Sequence, residues 1–192
     1  MQEQTGLVDK ETIDKNLRLI QDADIILMQL EIPIETVEYV CSIFKNKKII
    51  LDPAPASTEL SDKIFKSLYI IKPNETELNI LTGMPTNTIE QVVEAGNYLL
   101  NKGIQNVIVS LGGNGSVLIN HNGYRHFPPI KVKSVDTTAA GDSFIAAISL
   151  SLATEHTIPE SIEFATKVAS LTVQKKGAQA SIPSIEEVNN IS

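Results

Sequence analysis

The spacing of apolar residues changes repeatedly along this chain. In "DKETIDKNLRLIQD" (9–22), Ile13, Leu17 and Ile20 recur at intervals of four and three, as on one face of a helix. "ADIILMQL" (23–30) is a continuous apolar run, which predicts a parallel strand buried on both faces and paired on both sides. Helical spacing returns in "IETVEYVCSIFKN" (34–46). "KKIILDPAPA" (47–56) predicts a strand stopped by Pro53 and Pro55, and "LYIIKP" (68–73) a strand stopped by Pro73. "NETELNILTG" (74–83) predicts a short helix with Gly83 at its end, and residues 89–102 a longer one ended by Gly103. "NVIVSLG" (106–112) is a further buried strand, and "GSVLIN" and "YRHFPP" flank "HNG" as a hairpin. Residues 142–154 and 159–175 have helical patterns, with a break at "KKGAQASIP".

Strand alternating with helix predicts an α/β fold with a mostly parallel sheet. Ligands bind such sheets beyond the carboxyl ends of the strands. Those ends carry "QLE", "LDPAP", "KPNETE" and "SLGGNG", so polar and glycine-rich residues gather at one edge. No internal repeat, linker or composition shift marks a second domain. The 192 residues, 42% hydrophobic and 20% charged, suit one globular unit with a real core. A net charge of −7 without a Lys/Arg cluster argues against nucleic-acid and anionic-membrane partners. Trp is absent and aromatics are 5%, which disfavours stacking platforms for bases. The single Cys41 excludes an intramolecular disulfide and a zinc site built on cysteine pairs; its apolar helical face predicts a core position. His121, His126 and His156 lack metal-ligand spacing. The start "MQEQTGLVDK" has no apolar signal region and no run reaches membrane length, so a cytoplasmic protein is expected.

Three stretches carry chemistry. "DTTAAGDSFIAA" (136–147) puts Asp142 directly after Gly141 at the start of a helix. One reading is a packed helix start capped by Thr137 or Thr138. The other uses the same geometry: first-turn N–H groups and the helix dipole receive a phosphate, small residues allow its approach, and Asp142 takes a proton from a hydroxyl substrate. "SLGGNG" (110–115) matches neither a P-loop nor G-x-G-x-x-G, and on its own a plain turn is the better reading. "NETE" (74–77) reads as a capping box of Asn74 and Glu77, or as a pair organising Mg²⁺-bound water near nucleotide phosphates. Both can hold for the same residues.

"DTTAAGDSF" resembles the C-terminal signature of the ribokinase-type members of the PfkB carbohydrate kinase family. "LMQLEIP", "DPAPA", "KPNETE", "LTG", "SLGGNGS" and "KKGAQASIP" resemble segments of the same family in the same order, so the resemblance covers essentially the whole chain. It implies a Rossmann-like, three-layer fold of ribokinase type and transfer of the ATP γ-phosphoryl group to the 5-hydroxyl of D-ribose. Asp142 is then the base, and Ala139, Ala140 and Gly141 supply anion-hole N–H groups. Nucleotide binding falls to Asn74, Ser110, Leu111, Gly112, Gly113, Asn114, Gly115, Gly141 and Thr166. Glu31 and Asp142 meet the sugar, and Glu77 supports Mg²⁺ indirectly. Asp136, Thr138, Thr172, Lys175, Gly177 and Ser181 hold a monovalent cation, K⁺. The complete enzyme is expected to be a homodimer.

Family members carry a substantial portion ahead of the segment matching residue 1, with the first strands, the lid and a sugar-binding aspartate. The resemblance therefore implies that residues 1–192 are a single C-terminal, nucleotide-binding portion. Alone, it is expected to bind nucleotide weakly, to phosphorylate little ribose and to self-associate. Two alternatives stand beside ribose phosphorylation: another sugar or nucleoside as acceptor, and a nucleotide-binding module without turnover.

Overall fold

The computed structural model describes residues 8–191. The chain divides into two compact units: one takes the chain up to Ser110 together with Val117–Arg125, the other Leu111–Ser116 and the chain from His126 on.

The first unit is an α/β layer structure. Its strands are β1 (Ile25–Gln29), β2 (Lys48–Asp52), β3 (Ile70–Ile71), β4 (Asn106–Ser110), β5 (Ser116–Asn120) and β6 (Gly123–Phe127), joined into one sheet in that order. β1 to β4 are parallel, with Leu27 opposite Ile50, Leu51 opposite Ile71 and Ile71 opposite Val107. The short turn between β5 and β6 can only join antiparallel neighbours. The helices are α1 (Lys10–Lys15), α2 (Leu17–Asp22), α3 (Ile34–Ile43), α4 (Asp62–Ser67), α5 (Glu75–Thr82) and α6 (Ile89–Asn101). α3 packs on α4, α5 on α6, and α6 on β4. Ile49, Ile50, Leu51, Ile70, Ile71, Val107, Ile108 and Val109 have no exposed surface, as strands covered on both faces require.

The second unit is helical. α7 (Ala140–Ala153) packs on α8 (Ile158–Thr172), and α9 (Ile185–Asn189) packs on α8. Pro159 lies in the first turn of α8 behind a Thr157–Glu160 capping box. Among the described residues no helix is long and apolar enough to cross a membrane.

Several expectations need correction. The helix expected over 9–22 is two helices broken at Asn16, whose amide side chain donates to the Thr12 carbonyl at 2.8 Å. Asn side chains compete in this way with the helical ladder. β1 is an edge strand of the described sheet rather than a central one, and Leu27 is 38% exposed. β3 is only two residues long, because Pro73 and the turn into α5 follow at once. α7 begins at Ala140, two residues before the expected start. α4 and α9 were not foreseen.

Candidate active site

In the first unit the chemistry-bearing residues stand where strands end. Glu31 is exposed in the turn after β1. Asn74 follows β3 and meets Ser110, the last residue of β4, through an isolated parallel bridge. Asn74 and Glu77 form a reciprocal capping box. The Asn74 N–H donates to Glu77 Oε2, and the Glu77 N–H to Asn74 Oδ1, each at 2.8 Å. The box uses one polar atom of each side chain, so Asn74 Nδ2 and Glu77 Oε1 lie outside it. Gly83 closes α5 with φ 70°.

The second unit holds the glycine-rich loop and the start of α7. Gly112–Asn114 make one 3₁₀ turn, closed by the Leu111 N–H donating to the Gly115 carbonyl at 2.8 Å. Gly115 has φ 90°, and a Cβ there would lie 2.1 Å from the Phe127 carbonyl oxygen. Only glycine fits that backbone and that space. His126 Nε2 lies 2.8 Å from the Asn114 carbonyl, so this histidine braces the loop, a role its spacing did not reveal.

Neither Thr137 nor Thr138 caps α7. The N-cap is Ala139, in the left-handed conformation (φ 61°, ψ 7°), and makes no side-chain cap bond. The carboxylate of Asp136 has taken the Thr138 N–H at 2.9 Å, which folds "DTT" into a turn ahead of the helix. Such backbone strain in a non-glycine residue collects at functional sites. The Ala140 N–H donates to the Thr137 carbonyl at 3.2 Å, so this expected anion-hole donor faces the chain itself. Gly141 and Asp142 lie in the first turn, where no helical carbonyl stands one turn back. Both are exposed, whereas Ser143, Phe144 and Ile145 behind them are buried.

Asp136 also joins the two segments expected to share a cation. Its Oδ2 accepts the Gly177 N–H at 3.0 Å. Asp136 itself is half-buried. The Gly177 and Thr138 hydrogen bonds hold its carboxyl down at about 2. Thr172 and Ser181 are fully buried, with their hydroxyls donated to the Val168 and Ala178 carbonyls. The Lys175 ammonium pairs with Glu187 at 2.7 Å, which leaves only its backbone for a cation. Thr166 donates to the Ile162 carbonyl within α8. Each carboxylate oxygen of Asp136 thus accepts one backbone N–H, which ties the turn before α7 to the segment after α8.

Among the described residues no cluster of three or more His, Cys, Asp or Glu could hold a metal ion. Cys41 is buried as expected, and burial pushes its thiol up to about 12, so it is no nucleophile.

Residues 2–185 match the family model of the pfkB family carbohydrate kinases. The chain is 39% identical over 175 residues to a ribokinase of Staphylococcus aureus, covering 90% of this chain and 57% of that protein. It is 35% identical over 181 residues to a deoxyribokinase of Salmonella typhi, covering 93% and 59%. The ribokinase of Arabidopsis thaliana, solved in complex with ribose and ATP, superposes with a TM-score of 0.87 at 37% identity, over 92% of this chain and 58% of that one. The chain thus spans less than two thirds of the length of the relatives it matches.

Proposed function

Because the chain belongs to the pfkB family of carbohydrate kinases, we propose that it serves ATP-dependent phosphorylation of a sugar hydroxyl, with the 5-hydroxyl of D-ribose as acceptor. The observation that carries this reading is the start of α7: an exposed carboxylate, Asp142, in the first turn of a 14-residue helix entered through a left-handed alanine. Phosphoryl transfer asks the protein for positioning, charge stabilisation and a proton acceptor rather than covalent chemistry. Asp142 takes the proton of the attacking hydroxyl. The first-turn N–H of Gly141, helped by the dipole of α7, faces the charge on the transferring group. The family pattern assigns Ala139 to the same anion hole, whereas the Ala140 N–H is taken by the Thr137 carbonyl.

Glu31 contacts the sugar. Asn74 and the loop from Ser110 to Gly115 bind the nucleotide, with Thr166 on α8. When bound, Mg²⁺ neutralises the phosphate oxygens, and Glu77 orients it through water. The Asp136 turn and the backbone of Thr138, Thr172, Lys175, Gly177 and Ser181 hold K⁺, which fixes the approach to α7 without contacting substrate. A homodimer and a cytoplasmic location belong to the same reading.

Deoxyribose is the competing acceptor, favoured by the 35% identity to a deoxyribokinase. ADP release with D-ribose, 2-deoxyribose and a nucleoside panel decides between them. The ribose reading expects the highest kcat/KM with ribose and fails if another acceptor is turned over faster.

A further inference from the structure

The carboxyl edge of the sheet in the first unit holds a charge pair that the proposed chemistry does not use. Asp52 ends β2 and Lys72 directly follows β3. The Lys72 ammonium lies 2.8 Å from Asp52 Oδ2, with the two side chains only 5% and 3% exposed. Backbone pairing of β2 with β3 covers just Ile50–Ile70 and Leu51–Ile71. One residue further along, Asp52 stands opposite Lys72, so the ion pair adds a rung made of side chains. Below it the Lys72 N–H donates to the Leu51 carbonyl at 2.9 Å.

Asp52 Oδ1 is buried with no hydrogen-bond partner among the described residues. A buried pair with one unsatisfied oxygen is a poor source of stability. Its placement is more telling. Side chains alternate along an extended chain, so Lys72 and Asn74 share a face, one pleat apart. Pro73, between them, has no N–H with which to tie the strand end to β2. On the other side the Ser110 N–H donates to the Pro73 carbonyl at 3.0 Å. Both members of the pair are buried.

We propose that the Asp52–Lys72 pair is a positioning device for the start of α5. It fixes the β2 side of the strand end where backbone pairing stops, and so sets where Asn74 and Glu77 stand. The proposal rests on the assignment of Asn74 and Glu77 to nucleotide and metal-bound water. Neither Asp52 nor Lys72 is a catalytic residue.

The test is the double replacement Asp52→Leu with Lys72→Met, which removes both charges and strands neither in the interior. Three quantities are measured against the parent: the unfolding midpoint, hydrogen exchange at the Asn74 and Glu77 amides, and the Kd for ATP with Mg²⁺. We expect an undiminished midpoint. Protection of the two amides should fall about fivefold relative to Val107 and Ile108, the size of a lost capping contact. ATP affinity should weaken about tenfold, as when a group supporting a ligand-binding residue is removed. Unchanged protection and affinity would overturn the proposal. A double variant that cannot fold would overturn it too, since the pair would then supply stability rather than position. If the parent binds no ATP, the nucleotide assignment of Asn74 falls, and the amide exchange still decides whether the pair places the helix start.

Discussion

Replacing Gly115 by alanine is the sharpest perturbation of the glycine-rich loop. Its backbone, at φ 90° and ψ −134°, lies in a region that side chains disfavour. Holding a non-glycine residue there costs about 1–3 kcal/mol. The added Cβ would also lie 2.1 Å from the Phe127 carbonyl oxygen and 2.9 Å from the Pro129 nitrogen, both main-chain atoms. No rotamer can relieve that overlap, so a segment must move, at roughly 1–3 kcal/mol as in an overpacked core. The sum, about 2–6 kcal/mol, is a large part of a typical stability of ~5–15 kcal/mol. At this chain length it lowers Tm by roughly 10 °C. Two neighbours serve as controls. Gly113 has no heavy atom within 4 Å of a Cβ and no positive φ, so Gly113→Ala stays within about 0.5 kcal/mol. Gly112 is equally open but has φ 52°, so Gly112→Ala costs about 1 kcal/mol. Thermal unfolding by circular dichroism ranks the three. A Gly115→Ala protein within 1 kcal/mol of Gly113→Ala would refute the reasoning.

Ala139→Val puts a β-branched residue at φ 61°; we expect a loss of about 1–2 kcal/mol and weaker ATP binding, while Ala139→Gly holds or gains stability in the same denaturation assay. Asp136 is depressed from 3.8 to about 2 on folding. Its stabilising effect is therefore present above the unfolded value and is lost as pH falls toward about 2. Urea midpoints of Asp136→Ala and the parent should differ at neutral pH and converge in acid; a gap that persists would contradict the Gly177 and Thr138 bonds. If the Asp136 turn holds K⁺, exchanging Na⁺ for K⁺ at matched ionic strength raises turnover, and equal rates count against the cation site.

Elements with local punctuation were legible in the sequence. Asn74 and Glu77 announced α5 through their capping box and Gly83 through its left-handed close. Pro53 marked the end of β2. The same kind of signal was present and unread in Ser184-x-x-Glu187, which caps α9, and in Ser61, which caps α4. What stayed illegible depends on distant or competing partners. The spacing of Ile13, Leu17 and Ile20 fits a continuous helix, and nothing in it shows the Asn16 amide turning to the Thr12 carbonyl. Thr137 and Thr138 look like caps until Asp136 takes the Thr138 N–H, leaving Ala139 to enter the helix. "KKIILD" and "LYIIK" end in opposite charges, but only the register of β2 and β3 makes them a pair. The candidate site residues come from motif and resemblance, whereas the brace from His126 to the loop needed the fold.

In the proposed reaction Asp142 accepts the proton of the phosphoryl acceptor. The direct measurement is ribose-dependent ADP formation by the protein at the full length its gene encodes, with Asp142→Asn beside the parent. ATP binding is recorded for both. We expect ribose-dependent turnover in the parent, a fall of ~10²–10⁴-fold in kcat for the variant, and nearly unchanged ATP affinity. Turnover of Asp142→Asn within about tenfold of the parent would contradict it.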